Sequence, residues 1–169
     1  MLKLKAVDDI PSLIVGLLKS IIPLPIRQMF ASFAKLNTKW LCELSSMGMS
    51  LGFLKWLVGG TERFTVAVQQ PDGQAAVWAS GVKLTKCKYL ETAGCKSACL
   101  YLCKAPSETF FNEELGLPVY MKPNFEDQSC ELHFGIKPPP VSEDPAFQEK
   151  CYKTCPSLKA FSAAHNSSL

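Results

Sequence analysis

The sequence predicts an α+β protein with apolar N-terminal helices, a β-hairpin with a small antiparallel sheet, and a cysteine-rich helical C-terminal half. Three observations lead to this prediction. Apolar residues recur at helical spacing through the first 60 residues. The period then changes to two on either side of a Pro-Asp-Gly turn at 71–73. Seven of the eight cysteines follow, and two groups of them step by four residues, about one helical turn.

Two helices are predicted in the N-terminal third. Leu13, Leu17 and Ile21 recur on one face of the segment 10–22, which Pro23 must end because proline cannot continue a helix. A second helix is predicted over 26–44. Its apolar face carries Met29, Phe30, Phe33, Trp40, Leu41 and Leu44.

The basic residues of the second helix, Arg27, Lys35 and Lys39, lie on another side at multiples of four. This arrangement fits a core helix with a solvated basic edge, and it also fits an interfacial helix that meets anionic lipid headgroups. Both interpretations remain open from the sequence. Residues 1–60 carry seven Lys or Arg against three acids, so this third of the chain has a net charge of +4.

Strands are predicted at 63–69 and 76–84, joined by the turn. A helix over 95–104 should be stopped by Pro106, and a short helix over 107–115 should end at Gly116. Further along, Cys130, Leu132 and Phe134 alternate on one face of a strand. After the stiff connector 138–140, Asp144 should cap a last helix that carries Cys151 and Cys155.

This organisation predicts an apolar basic segment at 1–60 and a cysteine-rich domain at 61–169, packed as one compact unit. We identify no secretory signal or transit segment and no apolar run long enough to predict a spanning helix. The basic residues are not interleaved with an exposed aromatic platform, so the pattern argues against a nucleic-acid partner.

Two stripes of thiols are the main chemical signal. Residues four apart share a helix face, so Cys95, Cys99 and Cys103 form one stripe and Cys151 and Cys155 form another. The first stripe spans about 12 Å of helix, so a single metal cluster would take two thiols from each stripe or recruit others. The others are Cys87 and Cys130. Two disulfides between antiparallel helices, or inert buried thiols, fit the spacing as well.

A group of large apolar side chains lies among the cysteines. Its members are Phe110, Phe111, Tyr120, Met121, Phe125 and Phe134. Core packing accounts for them, and a hydrophobic tunnel for a long apolar ligand is the functional alternative. The neighbouring acids, including Glu126 and Asp127, fit solvated charges better than catalytic groups. His133 and His165 are solitary, which favours structural roles.

Three segments together resemble a known family. They are Lys-Cys-Lys-Tyr-Leu-Glu at 86–91, Cys-x3-Cys-x3-Cys-Lys-Ala-Pro-Ser at 95–107, and Gly-Leu-Pro-Val-Tyr-Met-Lys-Pro-Asn-Phe-Glu-Asp at 116–127. The chain resembles the plastid β-carotene isomerases that open strigolactone synthesis, the dwarf-twenty-seven type, as a divergent or paralogous member. The resemblance runs from about Trp56 to Cys155.

The resemblance implies an iron-dependent enzyme that converts all-trans-β-carotene to the 9-cis isomer at plastid membranes, in the stroma or associated with the thylakoid. Iron is expected as an iron–sulfur cluster, because a reducing stroma disfavours structural disulfides. The ligands expected first are Cys95, Cys99, Cys151 and Cys155, with Cys87, Cys103 and Cys130 as reserve ligands. The six apolar residues from Phe110 to Phe134 would hold the polyene, and Asp127 or Glu126 would give acid assistance.

Two other functions remain open from the sequence. One is a non-catalytic accessory or pigment-handling subunit of a photosynthetic membrane complex, in which the thiols form a structural clasp. The other is a disulfide-stapled binding module. An absorption spectrum of protein purified without oxygen would separate the disulfide-stapled module from the other two, and carotenoid turnover would separate the isomerase from the accessory subunit.

Overall fold

The computed structural model describes residues 9–51, 55–70 and 73–152. Its fold is α+β, as predicted: helices pack on one face of a four-stranded antiparallel sheet whose strand order is β1-β2-β4-β3. The core lies between these two layers, where the strands alternate buried and more exposed side chains.

The N-terminal layer contains α1 (Asp9–Ile21), α2 (Leu24–Leu36), α3 (Thr38–Ser50) and α4 (Lys55–Val58). The first predicted helix is confirmed as α1. The single helix predicted over 26–44 is wrong, because Asn37 leaves the helical region with φ −138° and ψ 49° and separates α2 from α3. Asn37 serves both helices, since its N–H donates to the Phe33 carbonyl and its own carbonyl accepts from Leu41.

Among the described residues, no single helix is both long enough and apolar enough to cross a membrane. One pair of helical segments, Ile10–Ile21 and Leu24–Leu36, passes that test of length and composition together, and the two are bent by 98°.

The sheet contains β1 (Thr61–Gln69), β2 (Ala75–Leu84), β3 (Val119–Pro123) and β4 (Cys130–Phe134). The predicted hairpin is confirmed by the antiparallel pairing of β1 with β2, and its turn residues 71–72 lie outside the described residues. β4 then pairs with both β2 and β3. As predicted, Cys130, Leu132 and Phe134 form the buried face of β4. The sequence reasoning did not predict β3.

A continuous helical stretch covers 96–114. It is built from α6 (Lys96–Ala98), a π-helix (Cys99–Lys104), α7 (Ala105–Thr109) and a second π-helix (Phe110–Glu114), and it follows α5 (Lys88–Ala93). The prediction that Pro106 stops the helix is therefore wrong. The Ala105 N–H bonds to the Leu100 carbonyl, five residues back, so the wider π turn directly precedes the proline and accommodates its missing donor. Gly116 follows the stretch at φ 63°, which suits the predicted C-cap.

The last described helix is α8 (Pro145–Gln148). Its predicted cap is confirmed, because Asp144 Oδ1 accepts a hydrogen bond of 3.0 Å from the Ala146 N–H. The prediction that this helix carries Cys151 is wrong, since Glu149 is extended at ψ 136° and ends the helix. Cys155, predicted on the same helix, lies outside the described residues.

A buried ion cluster attaches the helical stretch to the edge strand β3. Lys104 is fully buried, and its Nζ lies 2.7 Å from Glu108 Oε1, 2.7 Å from Asp144 Oδ2 and 2.7 Å from the Met121 carbonyl. Glu108 Oε1 also accepts from the Met121 N–H at 2.7 Å, and Asn112 donates to the Val119 carbonyl at 3.0 Å. Side chains of the helix thus satisfy backbone groups that an edge strand would otherwise leave unpaired.

Candidate functional site

A cavity of about 520 Å³ lies between the core face of the sheet and the helices that cover it. Among the described residues, none that lines the cavity is charged. The sheet contributes Leu84, Val119, Met121, Pro123, Cys130, Leu132 and Phe134. The helical layers and their connections contribute Ile14, Leu18, Ser45, Gly48, Met49, Leu57, Val58, Cys87, Tyr89, Leu90, Cys99, Leu102, Cys103, Ser107 and Phe111. The cavity is therefore an apolar chamber with a few weakly polar groups.

Four thiols from three different parts of the chain line this chamber. Cys99 and Cys103 lie four residues apart in the first π-helix, and Cys130 lies on the core face of β4. Cys87 is the residue before α5, and its N–H donates to the Gln128 carbonyl at 2.7 Å. That hydrogen bond joins the start of α5 to the segment entering β4, which places Cys87 near Cys130.

Burial controls the ionisation of these thiols. It raises the pKa of Cys99 to about 12 and that of Cys103 to about 11, and it holds the pKa of Cys130 well above its usual range. The neighbouring thiols act in the same direction, because each disfavours a second negative charge nearby. The pKa of the Tyr89 hydroxyl, which donates to the Ala98 carbonyl at 3.4 Å, is raised by burial and by the same thiols. Cys99, Cys103 and Cys130 are therefore neutral thiols at ordinary pH.

The other predicted ligands lie elsewhere. Cys95 precedes α6 with an extended backbone and lies outside the cavity wall. Cys151 is exposed, and its Sγ lies 3.9 Å from the Ser97 hydroxyl, so the segment after α8 does meet the start of the helical stretch. Lys96 reaches Glu149 at 2.7 Å in the same contact. Cys155 lies outside the described residues, so the predicted set of Cys95, Cys99, Cys151 and Cys155 remains a prediction.

The described thiols do not fit a metal as they lie. Within the described ranges, no group of three or more His, Cys, Asp or Glu side chains is arranged to hold a metal ion. Thiol ligands must also lose their protons, which burial opposes here. Every described cysteine is a free thiol, and none of them forms a disulfide with another. The chemistry proposed for this site therefore uses the thiols without iron.

The six apolar residues predicted to line a tunnel divide into two groups. Phe111, Met121 and Phe134 line the cavity, and the Phe111 and Phe134 rings meet edge to face at 6.5 Å. The remaining three lie away from the wall: Phe110 is buried behind it, Phe125 packs on Tyr152 and Lys96, and Tyr120 lies against Lys104.

The predicted acids lie on the turn before β4, outside the cavity wall. Glu126 and Asp127 are both exposed. Hydrogen bonds from Ser129 lower the pKa of Asp127, including one from the Ser129 N–H at 2.8 Å, so this carboxylate stays ionised as a turn-capping group. Nothing in this position brings either acid near a ligand in the chamber.

Sequence reasoning missed the contribution of the N-terminal helices to the cavity. Ile14 and Leu18 of α1 and Ser45, Gly48 and Met49 of α3 form part of the wall. The recurrence of apolar residues in α1 was a signal for a buried face. The apolar pattern of α1 does not reveal which surface its buried face contacts, because that surface depends on how α1 packs against α7 and the first π-helix.

Comparison with known proteins gives a consistent match. A family model described as β-carotene isomerase D27-like, C-terminal, matches residues 56–143, slightly more than half of the chain. The chloroplastic β-carotene isomerase D27 of Arabidopsis thaliana is 36% identical over 123 residues, which cover 73% of this chain and 44% of that protein. The protein of the same name from Medicago truncatula is 39% identical over 107 residues, which cover 63% of this chain and 40% of that protein. The chain thus spans less than half the length of either relative. No solved structure matches it.

Proposed function

Because the chain belongs to the β-carotene isomerase D27-like family, we propose that it is a plastid carotenoid isomerase that interconverts all-trans and 9-cis β-carotene. The names of the two relatives support the substrate, the reaction and the chloroplast location. The observation that carries the proposal is the apolar chamber with four thiols in its wall.

The chamber suits a hydrocarbon in size and polarity. Its volume of about 520 Å³ lies within the range of about 300–1,000 Å³ that is usual for small-molecule sites. β-Carotene has no polar group, so it could not repay the desolvation of a charged wall, and none of the described residues that line the cavity is charged. Phe111 and Phe134 offer aromatic faces to a conjugated chain.

Isomerisation requires a lower bond order at the double bond that rotates, which a one-electron change or a protonation can achieve. Reversible addition of an S–H group across that bond achieves the same without an oxidant: a C–S and a C–H bond form as the S–H bond and the π bond break, and elimination after rotation restores both the thiol and the polyene. Cys87, Cys99, Cys103 and Cys130 are the thiols that the described wall presents to a bound polyene. Their raised pKa values keep Cys99 and Cys103 as neutral thiols, so they lie against the hydrocarbon without a charge penalty. The apolar walls exclude water and hold the chain while one bond turns. Exposed Glu126 and Asp127 have no part in this scheme.

We also propose that the protein works at a membrane surface. Ile21, Met29, Leu36 and Trp40 on α1 to α3 are each at least half exposed, so this layer presents several large apolar side chains to its surroundings. Lys35 and Lys39 are exposed on the same layer, whereas Arg27 forms an ion pair with Glu114. Apolar side chains flanked by lysines favour binding to anionic lipid.

The decisive experiment measures conversion of all-trans to 9-cis β-carotene by chromatography for the parent protein, Cys99→Ser and Cys42→Ser. Both cysteines are buried, but Cys42 lies in α3 outside the cavity wall. We expect Cys99→Ser to reduce turnover at least tenfold and Cys42→Ser to leave it within about twofold. Equal turnover by the two variants would remove the thiol-lined chamber as the active site.

Membrane binding is tested by flotation with vesicles of phosphatidylcholine and phosphatidylglycerol. We expect Lys35→Glu with Lys39→Glu to reduce flotation and added salt to weaken it. Lys86→Glu is the control, since Lys86 lies just before α5, far in sequence from these helices. Flotation that ignores both the charge reversal and the salt would contradict this part of the proposal.

A further inference from the structure

Two of the described residues that line the cavity are exposed to solvent. They are Gly48 in α3 and Leu102 in the first π-helix, whose side chain is 43% exposed, whereas the other described lining residues are buried or half-buried. Ile14 and Leu18 of α1 also line the cavity and are half-buried. We define Gly48 and Leu102 as the mouth of the cavity, because the described wall is exposed there.

An apolar collar flanks this mouth. We define the collar as Leu13 and Leu17 of α1 with Leu44 and Met47 of α3. Each is exposed, and each directly precedes in sequence a residue of the cavity wall. Exposed apolar side chains beside an apolar cavity are typical of a surface that meets an apolar partner. Residues 1–60 carry a net charge of +4, and a bilayer with anionic lipid complements both properties.

Gly48 is not required by the folding of α3. It lies inside a helix, where glycine is less favourable than alanine. Among the described residues, nothing lies within 4 Å of a Cβ built at Gly48, so no close contact there excludes a side chain. Glycine at this position leaves open space at the mouth of the cavity.

We propose that the gap at Gly48 and Leu102 is the entrance through which a long apolar hydrocarbon enters the cavity directly from an anionic bilayer, and that the collar is the surface that seats on the lipid. This inference rests on the proposed function, because it takes a carotenoid as the occupant of the cavity. Moving hydrocarbon from lipid into water is unfavourable in proportion to its surface area, so a route through solvent is strongly disfavoured for a polyene. An entrance that opens inside the lipid contact avoids that cost.

The test compares Gly48→Trp with Gly48→Ala and Gly16→Trp. Gly16 is a matched control, since it is also an exposed helical glycine with nothing within 4 Å of a built Cβ, but it lies outside the cavity wall. Each variant is incubated with vesicles of phosphatidylcholine and phosphatidylglycerol that contain all-trans-β-carotene. Carotenoid retained by the protein after removal of the vesicles is read by absorbance, and thermal unfolding confirms that each variant is folded. We expect at least a tenfold loss of uptake in Gly48→Trp, a smaller loss in Gly48→Ala, and a value within about twofold of the parent for Gly16→Trp. Equal uptake by Gly48→Trp and Gly16→Trp would overturn the assignment of the entrance.

The collar is tested separately with Leu13→Gln and Leu17→Gln in one chain. We expect this variant to slow uptake from vesicles at least fivefold and to leave uptake from detergent micelles unchanged, because micelles deliver the ligand without seating the protein on a bilayer. Equal slowing from both sources would contradict a lipid-facing entrance.

Failure of the proposed function is distinguishable from failure of this inference. A parent protein that takes up no carotenoid would refute the proposed substrate, and the entrance is then judged with the small apolar dye Nile red. Loss of dye binding in Gly48→Trp but not in Gly16→Trp supports the entrance, and equal binding by the two overturns it.

Discussion

Replacement of Lys104 by methionine should be among the most destabilising single changes in this chain. Lys104 is fully buried, and its ammonium group contacts two carboxylates and a carbonyl, each at 2.7 Å. Methionine fills a similar volume but leaves Glu108 and Asp144 buried without their cation. Removal of one partner from a buried ion cluster typically costs about 3–5 kcal/mol, so we expect a loss of that size in the free energy of unfolding.

The measurement is urea denaturation of the parent, Lys104→Met and Lys86→Met. Lys86 also lies 2.6 Å from a carboxylate, that of Glu91, but both side chains are about half exposed. An exposed pair contributes about 0.2–1 kcal/mol, so Lys86→Met should have little effect. Adding Glu108→Gln to Lys104→Met should recover part of the loss, because one unpaired charge is removed while an acceptor for the Met121 N–H remains. A loss below about 1 kcal/mol for Lys104→Met would refute the reasoning.

Three further predictions concern pH, iron and packing. Burial lowers the pKa of His133, so the unfolded chain binds a proton more readily than the folded chain. The free energy of unfolding should therefore fall as the pH drops below about 6.5. In denaturation curves from pH 7 to 5, His133→Gln should make the free energy of unfolding less dependent on pH. The family resemblance implies iron on thiols, whereas the described thiols as they lie do not fit a metal. Iron per chain in protein purified without oxygen should therefore be the same in Cys99→Ser as in Cys42→Ser, and a fall in Cys99→Ser alone would show that Cys99 is a ligand. A Cβ at Gly81 would lie 2.5 Å from the Phe64 ring, so Gly81→Ala should lower the melting temperature. The control is Gly16→Ala, whose Cβ would meet no described atom within 4 Å, and it should raise the free energy of unfolding by about 0.5–1 kcal/mol. A melting temperature for Gly81→Ala at or above that of the parent would show that the sheet yields at this point.

Regular periodicity made the α1 helix, the β1–β2 hairpin and the buried face of β4 predictable. In each, the repeat extends over several residues, and proline or glycine marks an end or a turn. Asn37 was harder to interpret because asparagine is tolerated within a helix, and its role as a break depends on how α2 and α3 pack. β3 was missed for another reason. Its edge is satisfied by side chains of Lys104, Glu108 and Asn112, which no pattern within the strand reveals.

Pro106 illustrates how a local rule fails when the backbone has an alternative. Proline breaks an α-helix because it lacks a donor and crowds the carbonyl four residues earlier. In the π-helix before it the hydrogen bonds reach five residues back, as from Ala105 to Leu100, so the chain continues through the proline. The consequence for the site is direct. The helix that carries Cys99 and Cys103 extends to Phe111, and all three residues line one cavity.

The sequence predicted that the candidate site would contain thiols, but which thiols lie together depends on tertiary contacts. The four-residue step does place Cys99 and Cys103 on the same wall. Cys95 belongs to the same four-residue series in sequence. In the structure Gly94 is left-handed at the end of α5 and Cys95 is extended, so Cys95 does not share the helix face of Cys99 and Cys103. Cys87 and Cys130 enter instead through the hydrogen bond from Cys87 to Gln128, a contact between distant segments. A periodic pattern can specify which residues of one helix share a face. Which thiols surround a ligand follows only from the packing of that helix against the sheet, and this is why the cavity, more than the spacing, defines the candidate site.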